Sequence, residues 1–162
     1  MPTIRPILPH ETGEAKQLIY TIAREIFHDD MPLEEMITSL EASHELGDMD
    51  DIQRNYFENG GTFLVMTEDG QIIGTGALRR FGDETCELKR FWFAIPYHGQ
   101  GLSQQMIQTL LGIARELGYS KIRLGTDPTF QKRAINFYKK VGFQQISETA
   151  DEDGDILMEM EL

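Results

Sequence analysis

Pro96-Tyr97-His98-Gly99-Gln100-Gly101-Leu102-Ser103 joins an aromatic, apolar run to a long segment of helical period, and its reading decides the fold. Upstream, Glu87 to Ile95 carries Phe91, Trp92 and Phe93 and reads as a strand. Downstream, Met106, Ile107, Leu110, Leu111, Ala114 and Leu117 repeat at the spacing of a helix with one buried face, and Gly118 stands where a C-terminal cap is expected. Lys121 to Thr126 is apolar enough to be the next strand. A strand, a helix and a second strand in that order make a crossover unit, so the two strands are expected to run parallel in one sheet.

Working outward, Phe130 to Val141 reads as a helix stopped by Gly142, with short strands near Phe143 to Ser147 and Asp155 to Leu162 around an acidic turn at Asp153-Gly154. Toward the N-terminus, Thr62 to Thr67 and Gln71 to Leu78 flank Glu68-Asp69-Gly70, a hairpin signal. Gly74-Thr75-Gly76 inside the second strand reads as a place where something packs closely against the backbone. Thr3 to Leu8 is a short strand. Ala15, Leu18, Ile19, Ile22 and Ile26 mark one helix, and Leu33, Met36, Ile37 and Leu40 a second that starts at Asp30 and Pro32. Glu41 to Asp51 is polar and acidic and reads as a loop. The order β-α-α-β-β-β-α-β-α-β-β predicts an α/β (α+β) fold, with a mixed sheet of about seven strands flanked by about four helices. No linker or repeat interrupts it, so residues 1–162 read as a single domain.

Composition narrows the function. With 27 acidic against 15 basic residues the net charge is −12, the wrong sign for bulk attraction to nucleic acid or an anionic membrane. No apolar run approaches a membrane span, and the N-terminus lacks the apolar core of a signal peptide. A cytoplasmic domain follows as the expectation. The lone Cys86 excludes an internal disulfide and reads as a buried filler. His10, His28, His44 and His98 lack metal-ligand spacing, so no metal is expected.

The glycine loop itself can hold an anion. Two glycines allow a tight turn that gathers backbone N–H groups, and the following helix adds unpaired donors and the positive end of its dipole. The same pattern also fits a plain strand-to-helix turn. A P-loop is excluded because no Lys-Ser or Lys-Thr pair follows, and a dinucleotide fingerprint because the third glycine is missing.

Four separated stretches, in order, carry a resemblance. They are Glu87-Leu88-Lys89-Arg90, Tyr97 to Leu102, Arg115-Glu116-Leu117-Gly118-Tyr119, and Ala134 to Phe143 with Ala134, Tyr138, Gly142 and Phe143 in register. Together they resemble the GNAT superfamily of acyl-CoA-dependent N-acyltransferases, from about Gly61 to Phe143. His98 stands where that family has Gln or Arg, Ser103 where it has Gly or Ala, and Gln131 where many members carry Asn.

The resemblance implies acetyl-CoA as co-substrate, an amine acceptor, and the possibility of a homodimer. It implies cofactor contacts at Phe93, Ala94, Ile95, His98, Gly99, Gln100, Gly101, Leu102, Ser103 and Gln131. His98 is expected to offer an N–H to phosphate. It places the oxyanion donor near Phe93. Tyr138 becomes the acid that protonates the leaving thiolate, a phenol of pKa ~10 facing a thiol of ~8.5. Glu87 becomes the base, and strand alternation is expected to put Glu87, Lys89, Phe91 and Phe93 on one face. The acidic stretches Glu41 to Asp51 and Glu148 to Asp155 would suit a cationic acceptor, or are solvated loops. Two rival readings remain: a different acyl donor or acceptor, and a catalytically silent coenzyme A-binding module.

Overall fold

The computed structural model describes residues 1–27, 30–146 and 154–162. Its elements are β1 (Thr3–Pro6), α1 (Thr12–Ile26), α2 (Leu33–Ala42), β2 (Thr62–Glu68), β3 (Gln71–Arg80), β4 (Thr85–Phe93), α3 (Leu102–Glu116), β5 (Lys121–Thr126), α4 (Lys132–Val141), β6 (Gln144–Gln145) and β7 (Ile156–Glu161). The order agrees with the sequence reading, as does the seven-stranded mixed sheet, arranged β1-β2-β3-β4-β5-β7-β6. Ser147 and Asp153, placed by the sequence reading in the last two strands' surroundings, lie outside the described residues, as do His28 and most of the Glu148 to Asp155 stretch.

Apolar periodicity assigns the layers. Ile19 and Tyr20 of α1 and Met36 of α2 pack with Phe63, Val65 and Ala77 on one face of the sheet. Met106, Ile107, Leu110 and Leu111 of α3 and Ile135 and Tyr138 of α4 pack with Leu78, Cys86, Leu88, Ile122, Leu124 and Met158 on the other. Among the described residues no helix is long and apolar enough to cross a membrane.

Three local features depart from the sequence reading. The acidic Glu41 to Asp51 stretch is not a featureless loop. It contains a 3-10 turn at Gly47–Asp51, followed by a π-helical turn at Gln53–Phe57. The last helix starts at Lys132 and not at Phe130, because Asp127 Oδ1 accepts the N–H groups of Thr129 (2.7 Å) and Phe130 (3.1 Å) and holds them in a turn.

The third departure shapes the site. Ala77 pairs with Lys89 and Thr75 with Trp92, so Arg90 and Phe91 together oppose Gly76, and Arg90 has φ +52°. This is a β-bulge, and it reverses the phase of the strand. Cys86 and Leu88 below it, and Phe91 and Phe93 above it, face α3 and α4. Glu87 and Lys89 therefore share the α1 side with Trp92, and the expected common face of Glu87, Lys89, Phe91 and Phe93 does not exist.

The bulge is held from two sides. The fully buried Thr75 donates through Oγ1 to the Arg90 carbonyl (2.7 Å). The Arg90 side chain forks onto Asp48 (3.1 and 2.5 Å), whose Oδ2 also accepts from the Tyr56 hydroxyl. Burial opposes ionisation of Asp48, but the Arg90 guanidinium outweighs it and holds the carboxyl below its ordinary range.

Candidate active site

β4 and β5 pair in parallel only from Thr85–Lys121 to Glu87–Arg123, then separate. The resulting fork opens into a cavity of about 600 Å³. Its walls come from β4 (Phe91, Trp92, Phe93), the glycine loop, the first turn of α3, the start of α4, and Ile22 and Ile26 of α1.

The glycine loop is the cavity's polar end. Gly99 and Gly101 have φ +79° and +77°, the left-handed conformation that a side chain disfavours, and a Cβ at either would meet nothing within 4 Å. The glycines are thus required by the turn and leave open space above it. Gly101 caps α3 without a side-chain hydrogen bond, so the N–H groups of Leu102, Ser103 and Gln104 point out of the helix unpaired. Such a nest suits a phosphate or pyrophosphate.

Of the ten residues expected to contact the cofactor, Phe93, Ile95, His98, Gly99, Gly101, Leu102, Ser103 and Gln131 line the cavity, while Ala94 and Gln100 do not. The Ala94 N–H donates to Ile73 O (2.9 Å), and the Gln100 amide donates to Pro96 O (3.1 Å). Gln131 receives the Thr126 hydroxyl (2.8 Å) and the Asp127 N–H (3.0 Å), tying the end of β5 to the start of α4.

His98 takes a different part from the expected one. A guanidinium only donates, so the contact from Arg133 Nη1 to Nδ1 (3.2 Å) makes Nδ1 the acceptor. Nε2 then carries the hydrogen and donates to Phe93 O (2.8 Å). Both ring nitrogens are engaged, and no N–H remains for a phosphate. The imidazole instead fixes the end of β4 and braces Arg133 at the cavity wall. Sequence reasoning passed over Arg133. The signal was available: Lys132 and Arg133 put cations, and no acid, in the first turn of α4, where the dipole favours anions.

Phe93 supplies the fork's backbone donor. Successive N–H groups alternate sides along a strand, and that of Ala94 faces β3. The Phe93 N–H is therefore aimed across the fork toward β5, beyond the last β4–β5 pair. The Phe93 ring lies flat on Gly74, where a Cβ would fall 2.4 Å from it. That close approach explains the glycine inside β3.

Tyr138 closes the far wall among Phe91, Phe137 and Phe143, with ring centroids 6.1, 5.7 and 5.7 Å away. Its hydroxyl makes no hydrogen bond among the described residues, and burial raises its pKa from the ordinary phenol value. The group stays protonated through neutral pH, a donor without an internal acceptor. Cys86 is buried, its thiol pushed up to about 12, and is inert as expected.

Glu87 does not line the cavity. It stands at the apex of the fork, with Oε1 accepting from Arg79 Nη2 (2.9 Å) and Nε (3.1 Å). Strand geometry separates it from Phe93 by roughly 16–20 Å. Among the described residues no group of three or more His, Cys, Asp or Glu is arranged to hold a metal.

The acetyltransferase (GNAT) family model matches residues 20–143. N-acetyltransferase 8 of Mus musculus is 33% identical over 108 residues, 63% of this chain and 47% of its own length. N-acetylaspartate synthetase of Danio rerio is 31% identical over 106 residues, 64% of this chain and 37% of its own. The chain thus spans about half the length, or less, of these curated relatives. A GNAT-family acetyltransferase structure from Staphylococcus aureus Mu50 superposes with a TM-score of 0.83 at 20% identity, covering 100% of this chain and 99% of that one. The PaiA N-acetyltransferase of Thermoplasma acidophilum, solved with coenzyme A, gives 0.80 at 18% identity, with 100% and 99% covered.

Proposed function

The chain belongs to the acetyltransferase (GNAT) family, and from that premise we propose that it transfers an acetyl group from acetyl-CoA to the primary amine of a small molecule or peptide, by direct attack in a ternary complex. One observation carries the reading. The unpaired N–H groups of the glycine loop, the Phe93 N–H and the Tyr138 hydroxyl line one cavity in the order a coenzyme A thioester needs them.

The N–H groups at Gly99 to Gln104 bind the pyrophosphate, with Arg133 adding charge from α4. The pantetheine arm lies in the fork beside Phe93 and Ile95, which places the thioester carbonyl at the Phe93 N–H. The amine nitrogen attacks the carbonyl carbon, a C–N bond forms, and charge gathers on the oxygen facing that N–H. The C–S bond then breaks, and the departing thiolate takes the Tyr138 proton. The nitrogen releases its extra proton to water, and water reprotonates the phenol. An amine is mostly protonated at neutral pH (pKa ~10.4 for a lysine-like group), so the reacting fraction is the free amine.

Thiol release from acetyl-CoA across a library of amines, amino acids and peptides tests this reading. Turnover with at least one amine is the expected result. Tight coenzyme A binding with no turnover on any amine would leave a silent coenzyme A-binding module.

A further inference from the structure

The cavity passes through the sheet. Phe91 and Phe93 face α3 and α4, whereas Trp92 between them packs on the α1 side, yet all three line it. Residues on both faces of one strand share a cavity only where the neighbouring strand has left, and the β4–β5 ladder ends at Arg123. The glycine loop, Arg133 and Tyr138 stand at the α3–α4 end. The α1 end is built from Ile22, Ile26, Trp92 and Phe130. Phe130 belongs to that end because its ring meets Phe27, the residue that ends α1, edge to face at 5.3 Å.

Each of the four side chains is set there by its own element. Ile19 and Tyr20 of α1 join the core beneath the sheet, but Ile22 and Ile26, further along the same apolar stripe, face the cavity. The bulge at Arg90 and Phe91 turns Trp92 to the α1 side. Asp127 Oδ1 accepts the Phe130 N–H (3.1 Å), and the turn so formed brings Phe130 to Phe27. Those two rings stay 46% and 39% exposed, apolar surface left in water beside the cavity and not drawn into the core. Charge is lacking at this end. Among the described residues no Asp or Glu lines the cavity. Glu87 is taken by Arg79 (2.9 Å), Asp127 by its own turn, Glu41 and Asp50 by Lys16, and Asp48 by Arg90 and Tyr56. The polar lining is already engaged too: His98 by Phe93 O and Arg133, Gln131 by Thr126 and Asp127.

Resting on the acetyltransferase reading, we propose that the acceptor is a primary amine on a short arm carrying an aryl or branched hydrocarbon group and no second charge, and that Ile22, Ile26, Trp92 and Phe130 bind that group. The peptide between Trp92 and Phe93 joins the two halves of the site: its N–H is aimed across the fork, and the Trp92 ring flanks the acceptor on the α1 side. Burial of the hydrocarbon supplies the binding. Apolar surroundings without a counter-charge also favour the free amine over its ammonium, and the free amine is the form that attacks.

The probes are 2-phenylethylamine, ethanolamine and 1,4-diaminobutane, each with acetyl-CoA. kcat/KM should favour phenylethylamine over ethanolamine, an amine of similar basicity, by ~10–100-fold, with the diamine poorest. I26A and F130A should each cut that ratio by about threefold or more while the dissociation constant for coenzyme A holds, and I26E should turn the preference toward the diamine. A ratio near one, or a ratio that I26A and F130A leave intact, overturns the proposal and leaves the acetyltransferase reading standing. Octanoyl-CoA outpacing acetyl-CoA on ethanolamine, with that advantage lost in I26A, would make the α1 end an acyl-chain site and overturn it as well. Trp92 is the chain's one tryptophan, so its fluorescence reads the site without turnover. Titrating N-(2-phenylethyl)acetamide into the coenzyme A complex should give a saturable change in emission. Binding weakened about threefold or more in I26A and F130A sustains the site even if no amine is acetylated, and absence of binding to the wild-type protein refutes it.

Discussion

Replacing Tyr138 by Phe should move activity and stability in opposite directions. The phenol hydroxyl has no hydrogen-bond partner among the described residues, so its removal breaks none. The ring keeps its edge contacts with Phe91 and Phe143 and its tilted contact with Phe137. A buried hydroxyl without a partner costs the fold about 1 kcal/mol. Y138F should therefore unfold at the same temperature or up to ~2–4 °C higher. Turnover should fall by ~10²-fold if the hydroxyl protonates the thiolate, with the coenzyme A dissociation constant nearly unchanged. The loss should shrink with an acyl donor whose thiol has a lower pKa, because such a leaving group needs no proton. Thermal melts, calorimetry and thiol-release kinetics on one preparation read all three quantities. Unchanged kcat with weaker coenzyme A binding would refute the acid role and make Tyr138 a wall of the cofactor site. A melting temperature several degrees lower would show that the hydroxyl had a partner after all.

Gly101→Glu should abolish the thermal stabilisation by coenzyme A, worth ~2.7 kcal/mol at a hundredfold excess over Kd in the wild type, while circular dichroism remains native; a retained shift would put the pyrophosphate elsewhere. Asp48→Asn leaves Arg90 without its carboxylate and should lower stability by ~2–4 kcal/mol, read from urea midpoints, with a further loss of kcat because the bulge sets the direction of the Phe93 N–H. Glu11 is held at a pKa of about 2 by Arg5 (2.7 Å) and by the Leu8 N–H (2.9 Å). A carboxyl lowered in the folded state stabilises above its unfolded pKa and loses that contribution as pH falls toward the folded one. Glu11→Gln should thus cost about 1 kcal/mol at pH 7, reduced from the full shift by solvent around Arg5, and the difference from wild type should narrow from about pH 5 downward.

The order of elements along the chain, the crossover and the glycine loop were all legible, because each is written in a local pattern: apolar period, a strand-to-helix glycine pair, and turn residues at fixed spacing. The bulge was not. Bulges with a left-handed residue usually announce themselves by glycine, and this one uses Arg90, whose conformation is set by Asp48 and Thr75, 42 and 15 residues away in sequence. Missing it put Glu87 and Phe93 on one face. His98 was misread for a related reason. Its chemistry allowed a phosphate contact, but its actual partners, Phe93 O and Arg133, come from the neighbouring strand end and a helix 35 residues on. Local patterns locate backbone donors well and long-range side-chain partners poorly.

The three residue pairs that join β4 to β5 also bear on how the molecule holds together mechanically. Above Arg123 no strand pairing joins β1 to β4 with β5 to β7, and the two halves meet through that short ladder, α3 and side-chain contacts such as Phe91 with Tyr138 and His98 with Arg133. An amide-bearing chain lying in the gap would stand in for the missing rungs. Stiffness across the fork would then belong to the complex and not to the polypeptide, so the amides flanking the gap should exchange hydrogen slowly only while coenzyme A is bound, and the two halves should loosen each time product leaves.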